Sequence, residues 1–362
     1  MFKRVVGGLD PGGLNRSLPV DLIRTVAIVL VILLHAAIEP AKLFENMSSA
    51  DIPVWWTVDF YSSVARPAVP LFIMLSGALL LQPAKTTEPL KLFFKKRLNR
   101  IALPFIFWGV IYFLWRFLVN QEPFSYEKIL TGVLIGPYNH FWFLYMLVGL
   151  YLITPILRVV VANAEWKTVK YFFAIWLIGT AVIPLIGLTG PFRLHEGVFV
   201  ITGWVGYFFF GAYLQRIHIR PLVLYSILFL GTLGTIVGTF LVTEALGALQ
   251  GQAINDPCGI CAIAASIALF LILITCSPDH FKDQNSFSNK LMRQISQNTL
   301  GIFLVHVIIL ETLQKGYLGF KISILTIDPI IEVPMVTLIT LFASLALVVA
   351  LKKIPYIARI IG

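Results

Sequence analysis

Three ionisable side chains stand in a stretch that is otherwise almost wholly Val, Leu, Ile and Ala: Asp21, Arg24 and His35, at the start of and within the segment Val20–Ile38. A charged group at the centre of a membrane helix costs roughly 2.5–3.5 kcal/mol on insertion scales, so those retained usually have a task. Eleven residues separate Arg24 from His35. That is close to three turns at about 3.6 residues per turn, which puts both on one face about 16 Å apart. Asp21 lies one turn before Arg24, at pairing distance. The expected helix carries a salt-bridged arginine at its mouth and an imidazole deep on the same stripe. A neutral imidazole in an apolar bundle is a good general base, because small perturbations move its pKa across neutrality. The plainer alternatives are a histidine bonded to a neighbouring carbonyl and an ion pair that anchors the helix end.

A second concentration is Lys95-Lys96-Arg97-Leu98-Asn99-Arg100, four cations in six residues. Close to a membrane they would bind anionic lipid headgroups. They would equally clamp the phosphates of a soluble anionic cofactor, for which the planar fork of arginine is suited. Further polar residues are expected to gather at the opposite face. They are Arg66 before the second helix, His140 beside Trp142 at the fourth, Phe192-Arg193-Leu194-His195-Glu196 in a loop, and Glu39, Glu45, Asp51 and Asp59 between the first two helices. His140 with Trp142 also fits an interfacial aromatic belt. His306 lies mid-helix with Glu311 a little over a turn beyond, a pairing that suggests a second polar wall of a cavity. Cys258 and Cys261 form a CxxC with neither a second pair nor a histidine partner, which argues against a metal or redox site.

The elements that must position these residues follow from composition. Of 362 residues, 58% are hydrophobic and 13% charged, with a mean hydropathy of +0.86. Soluble domains carry about 25% charged residues. Apolar runs near 20 residues recur, and about 20 helical residues cross a bilayer core. The expected fold is all-α, a polytopic membrane bundle of about ten helices. Its spans run roughly Val20–Ile38, Tyr61–Leu81, Ile101–Val119, Asn139–Leu157, Thr168–Leu188, Val198–Leu214, Pro221–Val242, Cys258–Ser277, Gln297–Leu313 and Val333–Leu351. Tyr126–Gly136 is too short to cross and is expected at the interface. Continuous rather than alternating apolar runs exclude a β-barrel.

With the N-terminus inside, 21 of the 28 basic residues face the cytoplasm and 12 of the 18 acidic residues face out, as the positive-inside rule asks. Both termini are then cytoplasmic, as the N-terminal segment 1–19 and the tail 352–362, flanking a membrane domain over 20–351. The net charge of +10 is this topology signal and does not point to nucleic acid. The first apolar run is too long, and lacks the small-residue site, for a cleavable signal peptide.

Six motifs in order along the chain resemble the membrane acyltransferase-3 family. Arg24 and His35 with ten residues between them stand on the first helix, and Val69-Pro70-Leu71-Phe72-Ile73-Met74-Leu75-Ser76-Gly77 on the second. Arg97-x-x-Arg100 followed by Pro104 precedes the third, and His140-Phe141-Trp142-Phe143-Leu144 opens the fourth. Gly206-Tyr207-Phe208-Phe209-Phe210-Gly211 and Gly301-Ile302-Phe303-Leu304-Val305-His306 mark the sixth and ninth. The closest subgroup is the surface-polysaccharide O-acetyltransferases, such as the one acting on enterobacterial common antigen.

The resemblance implies an O-acyltransferase of the inner membrane. It would move an acyl group, acetyl by default, from cytoplasmic acyl-coenzyme A to a hydroxyl of an extracytoplasmic glycan or lipid-linked saccharide, without a metal. It nominates His35 as catalytic base or acyl relay, and Arg24, Arg97 and Arg100, with the neighbouring Asp21 and Lys96, for the donor. Arg66, His140, Trp142, His306 and Glu311 are left for the acceptor side or the cavity. Membrane lipids are the other expected partners.

The competing reading is a flippase or exporter of a polysaccharide unit that makes no bond. A dense basic site on one face only, and no pair of interrupted helices in related halves, argue against it. A scaffold or sensor would have no use for His35 and His306 within the membrane.

Overall fold

The computed structural model describes residues 18–37, 52–188, 203–276, 286–323 and 326–362, and every regular element among them is helical. Glu39, Glu45, Asp51 and the Phe192–Glu196 loop lie outside the described residues. In chain order the main helices are α1 (Leu18–Ala36), α2 (Ile52–Ala65), α3 (Ala68–Leu80), α4 (Leu90–Leu114), α5 (Tyr126–Ile135), α6 (Trp142–Asn163), α7 (Trp166–Leu177), α8 (Gly203–Leu214), α9 (Pro221–Leu246), α10 (Ala248–Ile254), α11 (Ile260–Ile274), α12 (Phe287–Gln297), α13 (Thr299–Lys315) and α14 (Pro329–Lys352). α4 and α7 each run on into a π-helical turn, Trp115–Val119 and Ile178–Val182.

Among the described residues seven helices are long and apolar enough to cross a membrane, or eight if one bent pair counts as a span. This is a multi-pass membrane architecture with a smaller count than the ten expected. The differences fall on three helices. α8 is described only from Gly203 and has 12 residues. α11 is apolar but has 15. The expected ninth span begins at a bend of 82° between α12 and α13.

Asn298 makes that bend. Its backbone (φ −109°, ψ 10°) leaves helical geometry, and its side-chain amide donates to Gln294 O at 2.7 Å, closing off α12. α12 itself is capped by Ser286, whose hydroxyl accepts from Asn289 N. It buries Asn289, Met292, Ile295 and Ser296, a spacing of three, three and one that marks one helical face. That face lies against α1.

α1 occupies the middle of the bundle. It packs against α2, α3, α11, α12, α13 and α14, with Val20, Ile23, Ala27, Ile28, Val31 and Ile32 almost wholly buried. α3 and α8 cross in near backbone contact. A Cβ at Gly77 would stand 1.7 Å from Phe208 O, and one at Gly211 would stand 2.0 Å from Met74 O. Only glycine fits at either place, because each opposing atom is backbone and cannot swing aside. The chain's last residues also fold back against the bundle: Ile361 is buried and its carbonyl accepts from Trp108 Nε1.

The connection from α3 to α4 is held by Arg158 of α6, which is 3% exposed. Its Nε donates to Leu80 O at 2.8 Å, its Nη1 to Lys85 O at 3.1 Å, and its Nη2 pairs with Glu88 at 3.1 Å. The guanidinium also lies over the Phe93 ring at 4.6 Å. One side chain thereby ties three points of a loop that has few contacts of its own. Burial alone would raise the Glu88 carboxyl, but hydrogen bonds from Lys96 and Arg158 outweigh that and hold it below the usual carboxylate range.

The glycine crossing gives a direct expectation. Gly211→Val must push α8 off α3, and overpacking of this kind costs about 1–3 kcal/mol or more. The melting temperature of the detergent-solubilised protein should fall by several degrees, whereas Gly149→Val, with nothing within 4 Å of its added Cβ, should leave it nearly unchanged. Equal melting of both variants would refute the close crossing.

Candidate active site

A pocket of about 1110 Å³, counting the space at its mouth, opens at the end of the bundle where α4 begins. Arg24 of α1, Lys85 of the α3–α4 connection, and Arg97 and Arg100 of α4 line it together. Arg97 and Arg100 are three residues apart on one helix and so share a face. No Asp or Glu side chain is among the lining residues. The four cations therefore face no acidic side chain across the pocket. Among the described residues Arg97 Nε is buried without a hydrogen-bond partner. Lys85 donates to Leu79 O at 2.6 Å; its burial, and then the nearby Arg97 and Arg158, lower its ammonium from the ordinary lysine range.

Inward from these cations the lining turns apolar and aromatic, with Phe72, Phe143, Leu147, Tyr151 and Phe303. Phe303 is also the link to a second feature. Its ring centroid lies 5.4 Å from that of His140 and 5.7 Å from that of His306. His306 in turn lies 4.9 Å from His35 and 5.4 Å from His140. Three histidines from three distant parts of the chain thus form one continuous patch of imidazole behind the pocket. Among the described residues no group of three or more His, Cys, Asp or Glu is arranged to hold a metal ion.

The ring tautomers follow from what each nitrogen faces. His35 Nδ1 is 2.8 Å from Val31 O, and His306 Nδ1 is 2.6 Å from Phe303 O. A carbonyl only accepts, so each Nδ1 carries the hydrogen and donates it. The basic lone pair of each ring then sits on Nε2. Among the described residues, His306 Nε2 and both nitrogens of His140 are buried without a well-aligned hydrogen bond. Buried polar atoms are satisfied in the great majority of cases, and orphaned ones at a single centre mark a place where a substrate could complete the bonding.

The geometry sorts the other residues named from the sequence. Arg24 and His35 do share α1, but Arg24 faces the pocket while His35 joins the imidazole patch. The expected Asp21–Arg24 salt bridge is not formed. Asp21 is 6% exposed and accepts from Ser296 Oγ at 2.6 Å, because it faces α12 rather than the pocket. Lys96 turns away from the pocket to Glu88 at 3.0 Å.

At the opposite end the expected single polar wall is divided. Glu311 belongs to its own knot, accepting from Trp115 Nε1 at 2.7 Å, from Lys315 at 2.8 Å and from Tyr138. Tyr112 connects this knot to the histidines, its ring 4.9 Å from both Tyr138 and His140. Trp142 is 39% exposed and packs on Trp204, away from its buried neighbour His140. Arg66 donates to Asn255 and to Ser62 Oγ. Asn255 also reaches Asp59 at 2.9 Å.

Lys85, Phe303, Ser296, Tyr112 and Arg158 were not singled out from the sequence for any role. Lys85 sits in a short polar connection with no periodicity. Arg158 left a trace as a cation directly after an apolar span, and Phe303 as a member of the Gly301–His306 motif.

Residues 19–349 match the acyltransferase domain family. Among curated proteins the chain is similar to the probable poly-beta-1,6-N-acetyl-D-glucosamine export proteins of Staphylococcus aureus strains MSSA476 and MW2. Identity to each is 22% over 302 residues, covering 80% of this chain and 81% of the relative. No solved structure matches. The domain match covers nearly the whole membrane bundle, its basic pocket and its three histidines, and the chain belongs to the acyltransferase-3 family of membrane acyltransferases.

Proposed function

We propose that this protein is a plasma-membrane O-acyltransferase that takes an acyl group, acetyl by default, from cytoplasmic acyl-coenzyme A and delivers it to a hydroxyl of an extracytoplasmic glycan. The observation that carries the reading is the continuity of a four-cation pocket with a buried imidazole patch through Phe303. A coenzyme A donor carries several phosphate charges that cannot enter lipid. Arg24, Lys85, Arg97 and Arg100 would hold those charges at the mouth, while the uncharged pantetheine arm extends along the aromatic lining. The positive-inside bias supports a cytoplasmic mouth.

The chemistry needs one base. The acceptor hydroxyl gives its proton to His35 Nε2 as its oxygen attacks the thioester carbonyl. The C–S bond breaks, the C–O ester forms, and the proton passes to the departing thiolate. An acyl-histidine route reaches the same products by forming and then breaking a C–N bond at the same nitrogen. The carbonyl of Val31, by fixing the Nδ1 hydrogen, supports either role.

Export of a polysaccharide unit is the second reading, favoured by the name of the Staphylococcus aureus relatives. A transporter has no need of a basic nitrogen at the inner end of an anion pocket, so thioester turnover separates the two.

His35→Ala should lower acyl transfer by about 100-fold or more, the span associated with a lost acid–base group, with the melting temperature little changed. Wild-type turnover in that variant would remove His35 from the chemistry. Arg97→Ala and Arg100→Ala should each weaken acetyl-coenzyme A binding by about tenfold or more, as expected for a lost hydrogen bond to a charged group. Higher salt should weaken it further. An unchanged Kd in the double variant would instead favour lipid anchoring.

Only the protonated form of Lys85 attracts phosphate, and its lowered pKa sets the direction of a pH effect. Donor affinity should fall as pH rises through that pKa, earlier than an exposed lysine would allow. Lys85→Arg should flatten the fall; the same profile in both proteins would show that Lys85 does not contact the donor.

Sidedness gives the last test of this reading. Right-side-out vesicles loaded with acetyl-coenzyme A should acetylate an external glycan acceptor, and donor supplied outside should give almost nothing. Equal activity with external donor would end the cross-membrane route.

A further inference from the structure

We propose that Phe303 sets the length of the acyl group this protein transfers, by closing the inner end of the pocket with an aromatic wall; this rests on the donor-pocket reading above. Phe303 and Phe143 both line the pocket, and their ring centroids lie 5.1 Å apart. The two side chains are 5% and 7% exposed. On its other flank Phe303 packs on His140 at 5.4 Å and on His306 at 5.7 Å. His35 lies behind His306, their centroids 4.9 Å apart. The last apolar surface before the imidazoles is therefore this ring pair.

A thioester entering with its phosphates on the mouth cations advances acyl end first toward that wall. Its carbonyl carbon stays on the mouth side of that wall, so the hydroxyl that attacks it is one that His35 activates across the imidazole patch. During transfer the C–S bond breaks, a C–O bond forms and the hydroxyl proton ends on the thiol, so the acyl chain itself passes through unaltered. Its length is tested only by the space it occupies. A two-carbon group needs little room beyond the carbonyl. Each further methylene has to displace Phe303, and that ring is hemmed in by Phe143 and His140 from outside its own helix and by His306 one turn along it. Close-packed interiors resist even one added methylene. The wall thus discriminates against chains longer than acetyl, and it does so with no polar contact to the acyl group.

The test is turnover of acetyl-, butyryl- and octanoyl-coenzyme A by the purified full chain, followed as free thiol released with water as acceptor. Wild type should prefer acetyl. Phe303→Ala should raise the ratio of kcat/KM for butyryl over acetyl by about tenfold or more, the scale on which apolar pockets distinguish a methylene or two, and Phe303→Leu should raise it less. Should Phe303→Ala fail to fold, Phe303→Leu and Phe143→Leu carry the comparison. A ratio that stays at the wild-type value while both rates fall together would make Phe303 a core residue only and overturn the proposal. Wild type that already uses butyryl as well as acetyl would overturn it too, leaving the donor-pocket reading intact. Wild type that releases thiol from none of the three would instead bring down the donor-pocket reading, and this proposal with it.

Discussion

Two backbone carbonyls govern what the histidine patch can do. Val31 O and Phe303 O each hold an Nδ1 hydrogen, so His35 and His306 present Nε2 as their basic atoms. The His306 ring cannot flip without giving up its helical carbonyl inside the core, where an unpartnered N–H costs about 1–3 kcal/mol. The rest of the bundle serves this arrangement. α1 is buried on most sides, which fixes the depth of His35, and α13 brings Phe303 and His306 one turn apart onto the same flank. The orphaned nitrogens of His140 and His306 complete a centre that is poorly bonded within the protein itself.

What could be read from the sequence was whatever one helix contains. Arg24 and His35 are placed by the 3.6-residue repeat of α1, and Arg97 and Arg100 share a face of α4 for the same reason, so both pairs were visible beforehand. The spans were visible too, because apolar run length is a one-dimensional property. The meeting of His35 with His140 and His306 was not. These residues are far apart in the chain and meet only through tertiary packing, α1 against α13 and the turn before α6 against Phe303 and His306 of α13, which no periodicity records. Pairings guessed from adjacency fared worst. Asp21 shares a face with Arg24 but is taken by Ser296 of α12, and Trp142 opens a helix that His140 precedes, so the two side chains part. Likewise the four cations of Lys95–Arg100 were read as one cluster, yet Lys96 is drawn off to Glu88. The described helices that pass as spans number seven or eight, because α8, α11 and α13 are each short of a full crossing as described.

Charge at the pocket is arranged by exclusion. Glu88 stands close enough to neutralise the mouth, but Arg158 and Lys96 hold it outside the lining. Asp21, one turn from Arg24, is likewise occupied by Ser296. The mouth therefore keeps an unbalanced positive field, which raises the local concentration of anions and the rate at which they arrive. A buried arginine that never meets the ligand shapes this field by where it puts a carboxylate.

The backbone contact of Gly77 with Phe208 and of Gly211 with Met74 bears on motion as well as on packing. Two helices touching main chain to main chain at two points, about one turn apart along α8, cannot roll or slide over each other there without steric collision. α3 and α8 are thereby one mechanical body, and any hinge in this bundle has to lie outside that pair.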